Sequence, residues 1–244
     1  TSNNVVSETL EKAYKRFEKD NNARKDYLVQ ILNAASAKIV ARDFDKRKML
    51  AALSEGILEN RILIYTTNKS AEKVLSTTRL AGYLTTEPNN EYRTVIQNID
   101  ASKLDYYLDR TVAVESMVCK NVKETQVRIT VKNTLKTGKG LPAYVLTRAD
   151  KGKPENLVTG AHRFKVFIYG PTQSKLLSAS RENRTENLGG ASTERSRPVY
   201  VADVDLSPGQ SEELQANFAG GVGKITYIDQ PLVRPTKIQI KDKC

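Results

Sequence analysis

Residues able to do chemistry are few in this chain of 244 residues. His162 is its one histidine. It stands beside Arg163 at the start of a strand-like run, with no Gly-x-Ser-x-Gly elbow in the sequence, so a histidine-dependent hydrolase has no triad to assemble and His162 is expected to be structural or merely exposed. Two cysteines, Cys119 and Cys244, exclude a disulfide scaffold and a Cys-rich zinc site. One disulfide between them and a frayed terminal thiol at Cys244 both stay open. No metal site and no cofactor are expected.

Carboxylates offer more. Asp105 and Asp109 flank Tyr106 and Tyr107, and Asp203 and Asp205 lie two apart on one strand, where side chains two residues apart share a face. Either pair could act as acid and base or take part in holding calcium, although EF-hand spacing is absent. On strands, such carboxylates more often neutralise neighbouring Lys or Arg. With Lys103 placed to hold a phosphate and Arg110 following Asp109, the candidate ligand-binding residues are Lys103, Asp105, Tyr106, Tyr107, Asp109 and Arg110. The competing role for the same stretch is structural. Lys103 and Arg110 would then pair with Asp105 and Asp109, while Leu104, Tyr106 and Leu108 pack between a helical and a strand layer. That role is preferred, because no histidine, cysteine or metal cluster lies near in sequence.

Other motifs carry less. Gly220-Gly221-Val222-Gly223 lacks the Gly-Lys-Ser/Thr of a phosphate loop and sits between strand-like runs, which predicts a hairpin turn. Thr1 as an N-terminal nucleophile is set aside in favour of a simple chain boundary.

The formal charge is +11. From Lys120 to Lys165 there are eleven Lys or Arg against three Asp or Glu, which predicts a basic strand-rich face suited to anionic partners, or else a solubilising surface. Aromatic residues next to basic ones, as in Tyr14-Lys15-Arg16-Phe17 and Arg163-Phe164-Lys165, follow helical and strand periods, so they read as core positions and nucleic acid is not an expected partner. No run approaches the eighteen or so apolar residues needed to span a bilayer. A signal peptide or membrane anchor is expected only upstream of Thr1.

The elements that must position these groups change period along the chain. Ser7 is placed to cap a helix bearing Leu10, Tyr14 and Phe17. Leu28, Ile31, Leu32, Ala35 and Ile39 form a second helical stripe, and Asp43 or Asp45 caps a third through Leu53 and Ile57. Three such helices predict a small bundle. Residues 61–66 read as a short strand, and Asn68 or Ser70 as the cap of a further helix. From Tyr92 the period becomes two, most clearly at Val127-Arg128-Ile129-Thr130-Val131-Lys132. Further short strands follow, and residues 180–198 read as a long mobile loop. The predicted class is α+β: an N-terminal helical bundle with a short strand region over residues 1–91, then a C-terminal antiparallel Ig-like β-sandwich over 92–244.

Several segments also resemble, in order, a family of bacterial envelope proteins known as domain of unknown function 4012, common in actinobacteria. The most specific are Ser102-Lys103-Leu104-Asp105-Tyr106-Tyr107-Leu108 and Gln230-Pro231-Leu232-Val233-Arg234-Pro235-Thr236. Ala52 to Tyr65, Leu80-Ala81-Gly82, Val131 to Thr134, Gly140 to Val145 and Tyr169-Gly170-Pro171 are similar to further landmarks, so the likeness runs from about residue 45 to 240. It implies an anchored protein at the extracellular face of the cell membrane, associated with surface polysaccharide and with no established reaction. The expected function is therefore a non-catalytic extracellular domain that binds an anionic wall or capsular polymer or another envelope protein. The alternative is part of an enzyme of surface glycopolymer assembly, with its site around Asp105, Tyr106 and Tyr107.

Overall fold

The alternation of Val127, Ile129 and Val131 with Arg128, Thr130 and Lys132 becomes β3 (Glu124–Asn133), a strand with one dry face and one wet one. The computed structural model describes residues 2–82, 84–118, 122–146, 158–182, 184–185 and 191–243. Cys119, Cys244, Thr1 and Lys120 lie outside them, and with them the question of a disulfide.

Eleven strands form two sheets among the described residues. In chain order they are β1 (Glu91–Asn98), β2 (Leu108–Val118), β3, β4 (His162–Tyr169), β5 (Lys175–Arg181), β6 (Arg184–Thr185), β7 (Ala191–Glu194), β8 (Arg197–Leu206), β9 (Ser211–Ala219), β10 (Thr226–Ile228) and β11 (Lys237–Lys241). One sheet has the order β10-β1-β4-β8-β7, the other β11-β2-β3-β9-β5-β6. Both feed one core. Phe164, Val166 and Ile168 of β4 and Tyr200 and Val204 of β8 share it with Val112 and Val114 of β2, Ile129 of β3 and Phe218 of β9. Alternate residues of each strand must find such a second sheet to lose their contact with water.

The sheets are mixed, which corrects the expectation of a purely antiparallel sandwich. Interior neighbours are antiparallel, but β10 runs parallel to β1, and β11 runs parallel to β2. A parallel pair needs a crossover connection. Here the chain crosses from the second sheet to the first after β9 and returns between β10 and β11. The Gly220–Gly223 segment is the first crossing, not a hairpin, because β9 and β10 belong to different sheets. Gly221 is required there: its φ is 95°, and a Cβ would lie 2.4 Å from Asn90 Oδ1. Asn90 Nδ2 donates to Gly223 O (2.9 Å), and Val222 N donates to Asn89 O (3.0 Å), tying the crossing to the start of β1.

Part of the expected loop at 180–198 is strand. β6 pairs with β5 and β7 with β8, because each sheet edge offers unpaired backbone groups to a segment adjoining it in the chain.

The chain clusters into two units, residues 1–82 with 139–152 and residues 83–138 with 153–244. The first is helical. α1 (Ser2–Ser7) runs through a π turn (Glu8–Lys12) into α2 (Ala13–Arg16), followed by α3 (Asn21–Val40), α4 (Lys46–Leu58), α5 (Lys69–Leu75) and α6 (Ala143–Leu146). Ser7 caps nothing; it has helical dihedrals inside the run, and the helix begins before it. The working caps are Asp20 on Ala23 N (2.9 Å), Asp45 on Arg47 N (2.9 Å) and Asn68 on Ser70 N (3.0 Å).

Residues 61–66 form no strand, because they find no ladder partner; Ile64 N donates to Leu80 O, and Leu63, Ile64 and Tyr65 stay exposed. Neither α3 nor α4 buries an apolar residue. Leu28 and Ile31 are half-buried, but Leu32, Ile39, Leu50 and Leu53 are exposed. Ala13, Val145 and Leu146 are its buried apolar residues among those described, and one buried contact is polar. Buried Arg24 lies 4.3 Å from the Tyr14 ring centroid and 4.6 Å from that of Tyr144, the two rings being near-parallel.

Candidate functional site

The candidate stretch begins where β1 ends. Asn98 Oδ1 accepts from Asp100 N (3.2 Å), and Asp100 Oδ1 accepts from Ser102 N (2.9 Å), two side-chain turns that bend the chain back into a 3-10 turn, Leu104–Tyr107. Asn98 Nδ2 donates both to Ser102 O (3.0 Å) and to Asp105 Oδ2 (2.8 Å).

The other Asp105 oxygen lies 3.3 Å from His162 Nε2. His162 opens β4, is fully buried and packs against Phe164 with ring centroids 4.9 Å apart. Two groups that are 57 positions apart in sequence are thus adjacent, because antiparallel β1–β4 pairing sets Asn98 opposite Phe164. The approach is close without being aligned: neither ring nitrogen completes a hydrogen bond among the described residues. Burial opposes the charge on Asp105. The close approach of His162, the hydrogen bond from Asn98 and the fields of His162 and Lys103 outweigh it and hold the carboxyl below its ordinary pKa of 3.8.

Asp109 and Arg110 point to opposite faces of β2. Asp109 is exposed and accepts from Arg234 Nη1 (2.8 Å); Arg234 Nε donates to Tyr106 O (2.7 Å), and its guanidinium lies 5.7 Å from the Tyr106 ring centroid. Arg110 is buried. Its guanidinium donates to Asp229 Oδ1 (3.3 Å), Gln230 O (3.2 Å) and Arg234 O (3.1 Å). The side chain of Gln230 in turn bonds both backbone groups of Ile96, accepting from N at 2.7 Å and donating to O at 3.1 Å. The two most distinctive segments of the sequence therefore clamp one another. Residues 229–236 are the return crossing to β11, and Arg110 and Arg234 fix its path.

The expected pairing of Arg110 with Asp109 does not form: Asp109 is held by Arg234 and Arg110 by Asp229, because strand alternation sends Arg110 inward while Asp109 faces water. Asp105 accepts from Asn98, lies close to His162 and feels the charge of Lys103. Tyr106 and Tyr107 meet edge to face at 5.1 Å and stay half-buried. Leu104 is buried, and Leu108 belongs to the sandwich core.

Elsewhere the carboxylates are engaged as counterions. Asp205 accepts from Arg163 Nε (2.8 Å) and Asp203 from Lys165 Nζ (2.6 Å), both between β4 and β8. Among the described residues no three His, Cys, Asp or Glu side chains converge as a metal site. Among the described residues the basic run is divided between two faces. Arg163 and Lys165 lie on the outer face of the first sheet, Arg128 and Lys132 on the outer face of the second. Acids distant in sequence neutralise part of it: besides Asp203 and Asp205, Glu213 lies 3.3 Å from Arg128 and Asp242 lies 2.9 Å from Lys123.

No protein-family model matches the chain, and no curated protein does. A solved structure from Legionella pneumophila, described as a "putative nutrient binding protein", overlaps 55% of this chain and 43% of its own at 6% identity and a TM-score of 0.31. The chain spans less than half the length of that protein, and so slight a likeness carries no argument about function.

Proposed function

We propose that this chain is a non-catalytic binding domain of a membrane-anchored bacterial envelope protein, at the extracellular face of the membrane, of the family its Ser102–Leu108 and Gln230–Thr236 segments resemble. It would contact a wall or capsular polymer or another envelope protein through an Ig-like sandwich modified by parallel edge strands. The observation that supports a non-catalytic role is that the candidate carboxylates are already engaged: Asp105 with Asn98 and His162, Asp109 with Arg234, Asp203 with Lys165 and Asp205 with Arg163.

The half-buried Tyr106 and Tyr107 rings, beside Lys103 and the Asp109–Arg234 pair, are the proposed contact surface. Aromatic rings with a wet polar tip suit a ligand that is apolar on one face and hydroxylated on another. The test is co-sedimentation of the purified chain with isolated wall and capsular polymer. Tyr107→Ala should weaken retention about tenfold, as loss of one aromatic anchor does, while Asp203→Asn leaves it unchanged. No retention of the parent chain by any envelope fraction would overturn the polymer version.

One observation favours the enzyme reading, in which this chain is part of a surface glycopolymer assembly enzyme. Asp105 and His162 adjoin as a general acid and base would. Full burial of His162 weighs against it. Asp105→Asn in cells separates the two: loss of surface polymer with the variant folded and present at normal level supports the enzyme.

A further inference from the structure

The end of α3, the turn and the start of α4 form an exposed tip that combines apolar side chains with unbalanced positive charge. Ile39 is 56% exposed, Val40 84% and Leu50 66%, and Phe44 lies exposed between them. Around them stand Lys38, Arg42, Lys46, Arg47 and Lys48. None of these five forms an ion pair among the described residues. Of the two acids in the segment, Asp45 is taken up by capping α4 through Arg47 N and Lys48 N. The turn is well defined: Asp43 N donates to Lys38 O (2.9 Å) and Arg42 N to Ile39 O (3.1 Å), which closes α3 with Arg42 in the left-handed region at φ 55°. Glycine is the usual residue there, so a cation is held at a position that costs backbone energy.

We propose that this tip docks on an anionic lipid surface, with Ile39, Val40, Phe44 and Leu50 entering the headgroup boundary and the cations lying among the phosphates. Exposed apolar residues need a cover, and the charge selects which one. A second copy of the same tip would set like charges against each other, whereas an anionic bilayer neutralises them and accepts the apolar side chains. No helix among the described residues is long and apolar enough to cross a membrane.

The test uses the full chain with sedimented vesicles of phosphatidylcholine alone or mixed with phosphatidylglycerol. The expected result is binding to the mixed vesicles that falls steeply on raising salt, and little binding to phosphatidylcholine. Reversing Lys46, Arg47 and Lys48 to Glu should weaken it by about a hundredfold or more, and Val40→Glu by about tenfold. Both changes fall on exposed positions, and acids suit a helix N-terminus, so circular dichroism should show parental helix content. Three outcomes overturn the proposal: no binding to mixed vesicles, binding that Val40→Glu leaves intact, or lipid-free self-association abolished by Val40→Glu.

Discussion

The sandwich and the helical unit carry apolar repeats of comparable regularity, and only the sandwich buries them. Val127, Ile129 and Val131 are completely shielded, while Leu32, Ile39, Leu50 and Leu53 stand in water. The contrast lies in who supplies the cover. A strand in this chain meets the other sheet of the same unit, so its inward face is closed by residues encoded nearby or later. The stripes of α3 and α4 find no such layer, and the helical unit is instead held at points, by caps and by Arg24 between two tyrosines. Periodicity therefore tells which face of an element is apolar, while burial depends on whether a complementary face exists.

That contrast can be tested by substitution. Arg110→Ala should have the largest effect, about 3–5 kcal/mol on the urea unfolding of the sandwich, because it removes a buried cation from Asp229 and the donor of two crossing carbonyls. Ile129→Ala should cost about 2–5 kcal/mol, whereas Leu50→Ala, though it removes the same class of side chain, should change stability by less than about 0.5 kcal/mol. If the two cost the same, the exposed stripe is covered in solution and the contrast fails. Arg24→Ala should destabilise the helical unit by about 1–2 kcal/mol, seen as faster amide exchange in the first turns of α3 with β3 unaffected.

Asp105→Asn should be smaller, about 1 kcal/mol after allowance for its partly exposed carboxyl. The pH dependence has a definite sign. Because its folded pKa lies below the ordinary 3.8, Asp105 stabilises the fold above that value and loses the contribution as pH falls through the lower folded value. Unfolding measured from pH 5 downward should thus fall more steeply in the parent than in Asp105→Asn. Asp203→Asn, removing one exposed cross-strand pair, should change stability by under about 0.5 kcal/mol.

Much of the strand region was legible because strand period is local: β1 begins beside Tyr92, β3 spans the Val127–Lys132 alternation, β4 opens at His162, and β8 carries Asp203 and Asp205. Pairing direction was not, since the parallel placement of β10 and β11 depends on two crossings whose destinations no local pattern encodes. The same limit governed the site. The Ser102–Leu108 stretch was picked out, but the partners of its charges, His162, Asp229 and Arg234, are brought in by sheet register and by the crossing at 229–236. A local excess of charge does not make a charged face for the same reason, because consecutive strands send their cations to different faces and meet acids from elsewhere.

The parallel pairing of β11 with β2, over the five positions from Lys237↔Thr111 to Lys241↔Glu115, also sets how the molecule answers to force. Tension between the leading end of β2 and the trailing end of β11 pulls two co-directional strands past each other, so their hydrogen bonds are strained together and must fail together. An antiparallel partner in the same place would have peeled away one bond at a time. The last strand of the sandwich therefore acts as a shear joint at its edge.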